Sequence, residues 1–210
     1  MKIDRLVLGA FQTNCYVLRA NETAKNCLII DPGLEPESLL RFLHDNNLNP
    51  QAIILTHGHA DHTAGVGPLR DNFPAIKLYI HELDDDMLTG ATDNLSELAG
   101  RQYRTEHADS FLNDADELQL AQICFQVLHT PGHTPGGVCL YCKDDHLVFV
   151  GDTLFADSVG RTDLTGGDFN TLISSVKEKL FTLTDDTVVY PGHGPATTIG
   201  REKAYNPFLK

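Results

Sequence analysis

The chain has 210 residues, of which 41% are hydrophobic, and 16 Lys and Arg stand against 29 Asp and Glu for a formal net charge of −13. That length supports a buried core without disulfide staples and reads as one domain over residues 1–210. So acidic a chain is a poor electrostatic match for phosphate backbones or anionic lipid, so neither nucleic acid nor a membrane surface is expected as a partner.

The opening stretch, MKIDRLVLGA, lacks the long apolar segment and small-residue cleavage site of a secretory signal. No apolar run approaches the roughly 18 residues needed to span a bilayer. Short apolar runs at 6–8, 15–18 and 27–30 read as strands, the last closed by the turn signal Asp31-Pro32-Gly33. Leu39, Leu40, Phe42 and Leu43 form a helical stripe over 37–46, followed by a buried strand at 53–55, a helix over 63–73 and a strand at 78–80. From 82 to 117 the chain turns polar and carries the run Asp84-Asp85-Asp86, which reads as a solvated face within a long functional loop bearing short helices. Strands follow at 123–128, 138–141 and 147–150, then a helix over 170–181 and a strand at 187–190. This alternation predicts an α/β layered sandwich. Cys15, Cys27, Cys124, Cys139 and Cys142 are an odd number in a chain too large to need disulfides, and are expected to be reduced thiols of a cytoplasmic protein. Cys139 and Cys142 form a C-x-x-C inside a strand-like run, with no second pair to complete a zinc knuckle.

Four polar clusters each follow a buried-strand pattern: Thr56-His57-Gly58-His59-Ala60-Asp61-His62, Gly132-His133, Gly151-Asp152 and Gly192-His193-Gly194. Strand ends are where α/β folds collect functional side chains, and glycine there permits close backbone approach or positive φ. His57 and His59 are two apart, a spacing that in extended chain puts both imidazoles on one side, able to grip one metal together. Asp61 and His62 come next, at the turn into a helix. With His133, Asp152 and His193 the set is five imidazoles and two carboxylates, a donor set suited to zinc and acceptable to iron or manganese. Seven ligands are too many for one tetrahedral ion; with Asp152 bridging they divide as four and four across two divalent metals. Packed into six residues, the imidazoles and carboxylate of HGHADH would repel and desolvate one another without a cation. His129 belongs to the preceding strand and reads as structural, and His44, His81, His107 and His146 read as surface or helix-end residues.

These residues resemble the metallo-β-lactamase superfamily, and within it the glyoxalase II (hydroxyacylglutathione hydrolase)-like proteins. The resemblance runs from Phe11-Gln12-Thr13-Asn14-Cys15-Tyr16 and Ile30-Asp31-Pro32-Gly33 through HxHxDH, GHT, GD and PGHG to Asn206-Pro207-Phe208-Leu209. It implies a four-layered αββα sandwich with metals between loops at one edge of two sheets. It further implies one metal on His57, His59 and His133, the other on Asp61, His62 and His193, and Asp152 between them. By the same resemblance Asp31 orients the ligand loop, and Arg161 and Asp163 of Gly160-Arg161-Thr162-Asp163 form a pair near the site. The longer glyoxalase II enzymes resemble one another in an extra C-terminal helical region that supplies residues for glutathione, whereas here only residues 196–210 follow His193. Arg101, Tyr103, Arg104, Arg201, Lys203 and Tyr205 are the candidates for an acidic substrate tail.

The implied reaction is hydrolysis of a small-molecule thioester such as S-lactoylglutathione by a hydroxide generated between the two metals, with Asp61 holding the nucleophile and taking its proton. A thiolate, with a conjugate pKa near 8.5, leaves without a strong general acid, whereas an amide nitrogen would need one. Persulfide dioxygenases share the HxHxDH run but resemble a single-iron design, and resemble one another in PAHD where this chain has Pro191-Gly192-His193-Gly194-Pro195. That difference favours a hydrolase, of this or another small ester or thioester. A nuclease would need a basic surface, and a β-lactamase a secretion signal and a cysteine ligand.

Overall fold

The computed structural model describes residues 1–90, 94–100 and 102–210. Strands β1 (Lys2–Leu8), β2 (Thr13–Arg19) and β3 (Asn26–Ile30) form an antiparallel meander. Helix α1 (Glu37–Asp45) crosses to β4 (Asn49–Ile54), the short helices α2 (Ala60–Thr63) and α3 (Val66–Asn72) lead to β5 (Lys77–Ile80), and α4 (Glu82–Thr89) precedes β6 (Ser110–Phe111). From β3 to β6 the pairing is parallel, completing a sheet in the order β1-β2-β3-β4-β5-β6.

The second sheet is built from β7 (Glu117–Leu120), β8 (Ile123–His129), β9 (Val138–Cys142) and β10 (Leu147–Gly151). A separate hairpin, β11 (Leu154–Phe155) and β12 (Ser158–Val159), precedes α5 (Phe169–Glu178). The chain then adds β13 (Val188–Pro191) and β14 (Thr197–Thr198) to the sheet and ends in α6 (Ile199–Tyr205). The order is β14-β13-β10-β9-β8-β7, with β10 and β13 parallel.

Strand side chains alternate between two burials, which is why the strands read as continuous apolar runs. Tyr16, Leu18, Leu28, Ile30 and Ile54 of the first sheet meet Phe125, Val127, Leu140 and Phe149 of the second in a core between the sheets. Their neighbours Val17, Ile29 and Ile53 face the other way, onto Leu39 and Leu43 of α1 and Val66 and Leu69 of α3. On the far side, Tyr141, Val148, Val150 and Val189 pack on Val176 of α5 and Ile199 of α6. The layers are therefore α, β, β, α, as expected from the resemblance. Among the described residues no helix is long and apolar enough to cross a membrane.

Two expectations need correction here. The helix expected over 63–73 starts only at Val66 and is set off from the short α2 before it, because the Gly65 N–H turns aside to donate to the Pro32 carbonyl at 2.7 Å. A Cβ at Gly65 would lie 2.6 Å from that oxygen, so the break depends on a close backbone approach that no local pattern reveals. The acidic run is not a solvated face: Asp84 is fully buried and Asp85 nearly so, while Asp86 is exposed. All five cysteines are free thiols, with Cys124 exposed and the others buried.

Candidate metal centre

The C-terminal ends of β4, β8, β10 and β13 deliver His57, His133, Asp152 and His193 to one edge of the sandwich. His59 caps the start of α2, which carries Asp61 and His62. Two of the ligand-bearing turns need left-handed backbone immediately before the ligand. Gly132 has φ 128° and Gly151 φ 49°, and a Cβ on Gly132 would overlap Leu172 of α5. The Phe11–Tyr16 motif closes the fourth turn. Asn14 donates its side-chain amide to the Pro191 and Gly194 carbonyls, both at 2.9 Å, and the Tyr16 hydroxyl donates to Pro191 at 2.7 Å.

All seven sequence-picked side chains come together. His57, His59 and His133 form one group, Asp61, His62 and His193 another, and His57, His62 and Asp152 a third across the middle, with donor atoms in each group within 4.8 Å of one another. The second nitrogens show why the rings face inward. His133 Nδ1 donates to the Arg161 carbonyl at 2.7 Å and His193 Nδ1 to the Phe11 carbonyl at 3.0 Å, which leaves the Nε2 lone pair of each for the site. His62 Nδ1 donates to Asp31 Oδ2 at 2.9 Å and His57 Nδ1 lies 3.1 Å from Thr56 Oγ1. His59 Nδ1 sits 3.0 Å from His133 Nε2, and His62 Nε2 sits 3.2 Å from His193 Nε2.

A divalent cation fits this donor set, because two of the donors have unmet bonding. His57 Nε2 and Asp152 Oδ1 are buried and have no hydrogen-bond partner, a costly state that a cation between them relieves. Electrostatics separates the two halves. Burial, reinforced by the facing imidazoles, holds His57 well below the ordinary histidine range, and burial with His133 pushes His59 down to about 3. Burial also opposes charge on His62, yet Asp61, Asp152 and Asp31 outweigh it and raise that ring to about 10. Burial disfavours the Asp61 carboxylate, but His62 and His193 still hold it below the usual carboxylate range. His57 and His59 are thus neutral and ready to ligate, while the carboxylates around His62 attract positive charge.

Asp31, expected to orient the ligand loop, is 1% exposed with φ 51°. Besides His62 it accepts the Thr56 N–H at 2.8 Å and the Thr56 hydroxyl at 2.6 Å. Asp84 was not among the sequence candidates. Its carboxylate accepts from the Gly58 N–H at 3.0 Å, the Gly136 N–H at 2.6 Å and the Thr134 hydroxyl at 2.7 Å, tying the His57–His59 turn to the His133 turn. The one available signal was its helical spacing to Met87 and Leu88, which puts Asp84 on the buried face of α4. Asp84→Ala leaves three buried donors unpaired, so thermal unfolding of the metal-free protein should show a loss of roughly 3 kcal/mol or more.

A cleft of about 390 Å³ opens over the centre, walled by Phe11, Leu95, Phe155, Val159 and Leu164. Arg161 also lines it, but its guanidinium is engaged by Asp163 through two contacts of 2.8 Å, the expected pair. The described candidates for an acidic substrate tail lie away from this cleft. Tyr103 and Arg104 line a separate cleft, Arg201 pairs with Asp157 and Glu202, Lys203 pairs with Asp185, and Tyr205 is exposed on α6. Arg101 lies outside the described residues. His129 Nε2 donates to the Pro135 carbonyl at 2.9 Å and its ring stacks on His81, the cap of α4, while His44, His107 and His146 are exposed.

The sequence pattern of the metallo-beta-lactamase superfamily matches residues 8–193. This chain belongs to the metallo-beta-lactamase superfamily. It is 40% identical over 210 residues to the "Probable metallo-hydrolase YqgX" of Bacillus subtilis (strain 168), covering all of this chain and 98% of that protein. It is 39% identical to the "Hydroxyacylglutathione hydrolase GloC" of Haemophilus influenzae, covering all of this chain and 98% of that one. Among solved structures it resembles the BLEG-1 B3 metallo-beta-lactamase with TM-score 0.94 and 42% identity, each chain covered in full. It also resembles TTHA1623 in a di-iron-bound form, with TM-score 0.86, 40% identity and coverage of 98% and 100%. ETHE1 from Myxococcus xanthus superposes with TM-score 0.78 and 31% identity, covering 99% of this chain and 84% of that one. As a superfamily member with a converged His and Asp cluster, the chain is a metal-dependent hydrolase.

Proposed function

We propose that this chain is a thioesterase acting on hydroxyacylglutathione-type thioesters, of which S-lactoylglutathione is the type, with a two-metal centre at the base of its cleft. The observation that carries the reading is the convergence of seven donor side chains around two unpartnered buried atoms, His57 Nε2 and Asp152 Oδ1. His57, His59 and His133 would hold one divalent ion and Asp61, His62 and His193 the other, with Asp152 shared; zinc suits the donors, and iron or manganese would serve. When bound, two such ions lower the pKa of a water toward neutrality and polarise a carbonyl oxygen.

The chain's own residues do the rest. Asp61 remains ionised and can take the attacking water's proton at Oδ2, the oxygen that Thr13 Oγ1 approaches at 3.3 Å. The apolar wall would displace water from the face of the substrate it covers. Among the described wall residues that are not ligand candidates, none is a free acid able to protonate a leaving nitrogen. A thiolate needs no such donor, which supports a thioester over an amide. The full-length likeness to the Haemophilus hydrolase supports the same class.

Elemental analysis of the purified protein, paired with hydrolysis of S-lactoylglutathione, tests the reading. Two metal ions per chain are expected, with hydrolysis rising with metal content and lost on chelation. Equal activity in metal-depleted protein would overturn it. One iron per chain with oxygen uptake on glutathione persulfide would replace it with the dioxygenase reading, which the likeness to ETHE1 keeps in view.

A further inference from the structure

One wall of the cleft is too small to hold itself. The β11–β12 hairpin places Phe155, Ser158 and Val159 along the cleft, with the Phe155 ring 6.3 Å from that of His193. Yet it has only two residue pairs, Leu154 with Val159 and Phe155 with Ser158, and its turn residue Asp157 sits at φ 61°. A two-stranded ribbon of that length is not stable alone. Leu154 at its base is buried in the core beneath α5 and α6, and the polar support of its turn comes from the last helix. Glu202 of α6 is fully buried, and its Oε2 accepts the Asp157 N–H at 2.9 Å. Asn206 donates to the Ser158 carbonyl at 3.0 Å and to Glu202 Oε2 at 2.9 Å. On the other oxygen, Glu202 Oε1 accepts from Thr197 Oγ1 at 2.5 Å and Arg201 at 2.7 Å, and Arg201 reaches across to Asp157 Oδ2 at 2.7 Å.

A carboxylate is rarely buried without a task, because its desolvation must be offset by donors. Here the donors converge from the hairpin, from β14 and from α6 itself, and none comes from a candidate metal ligand. We propose that Glu202, with Asn206, is a positioning residue that sets the hairpin wall against the substrate and so governs which thioesters the cleft accepts, leaving the chemistry to the metal centre. This rests on the thioesterase reading for its substrate, though the anchoring itself does not.

Glu202→Gln keeps the volume and replaces an acceptor by an amide group facing donors. Amide hydrogen exchange at 154–159 should accelerate while exchange at 57–62 stays as in the wild type. For S-lactoylglutathione, KM should rise about tenfold, the weight of one or two lost hydrogen bonds, with kcat within about twofold and metal content unchanged. Should that variant fail to fold, Arg201→Ala removes the half-exposed guanidinium that bridges Glu202 and the hairpin's Asp157, and should give the same pattern at about two- to threefold in KM. Unchanged hairpin exchange overturns the proposal, as does a kcat that falls in step with kcat/KM. If the wild type does not hydrolyse the thioester, the proposed function falls, and the exchange comparison alone decides the anchoring.

Discussion

His59→Ala should lower kcat/KM for thioester hydrolysis by roughly a thousandfold or more, the scale seen when a group that stabilises transition-state charge is removed. His59 lies at the floor of the cleft, 4% exposed, with its Nδ1 turned toward His133 Nε2. It has little to contribute to the metal-free fold: burial and a neighbouring imidazole hold its pKa down to about 3, so folding gives up the proton that the unfolded chain binds below about pH 6.5. Replacing it therefore leaves the melting temperature of the metal-free protein near or above the wild type, most visibly below pH 6, where the wild-type ring is neutral and its unfolded counterpart charged. The stabilisation conferred by added metal should shrink in the same variant, since a ligand that binds only the native state stabilises in proportion to its affinity. Full turnover at wild-type metal content would remove His59 from the centre.

Asp31→Asn should weaken metal binding by about 10–100-fold, read by chelator competition, and lower the stability of the metal-free protein by about 1–3 kcal/mol. The carboxylate satisfies three groups at once: the Thr56 N–H, the Thr56 hydroxyl and His62 Nδ1. Asparagine retains the shape and tolerates the left-handed backbone at this position, so the variant isolates the charge and the lost acceptor. Its amide N–H₂ must face one of those donors, which turns a bond into a repulsion. Because His62 presents Nε2 to the site only while Nδ1 is anchored, losing the anchor frees the ring to rotate or to take the other tautomer. Unaltered metal affinity would reduce Asp31 to a turn residue.

The contrast between Asp31 and Asp84 shows where local reading ends. Asp31 ends a buried strand in a turn signal, and the resemblance already marked it as orienting the ligand loop. Asp84 sits in an acidic run, and its partners Gly58, Thr134 and Gly136 are 26, 50 and 52 residues away in sequence. Composition at that position describes charge density, and only packing reveals which of three adjacent carboxylates faces inward. Two of the anion candidates, Arg201 and Lys203, fell away for the reverse reason: they are cations on the last helix, and the fold pairs them with Asp157, Glu202 and Asp185 instead of turning them to the cleft.

By itself, the sequence determined the long central strands, the layered class and which seven side chains to look for at the strand ends. Each of these is written locally: strands buried on both faces are continuously apolar, and imidazoles crowded into HGHADH have few stable uses other than ligation. Tertiary structure alone decided which second nitrogen is anchored to which carbonyl, that Asp84 ties two ligand turns, and that a buried glutamate on the last helix supports the cleft wall. Those are bonds between segments remote in sequence. A hydrogen bond depends on where two backbones meet in space, and no residue pattern along one of them records the position of the other.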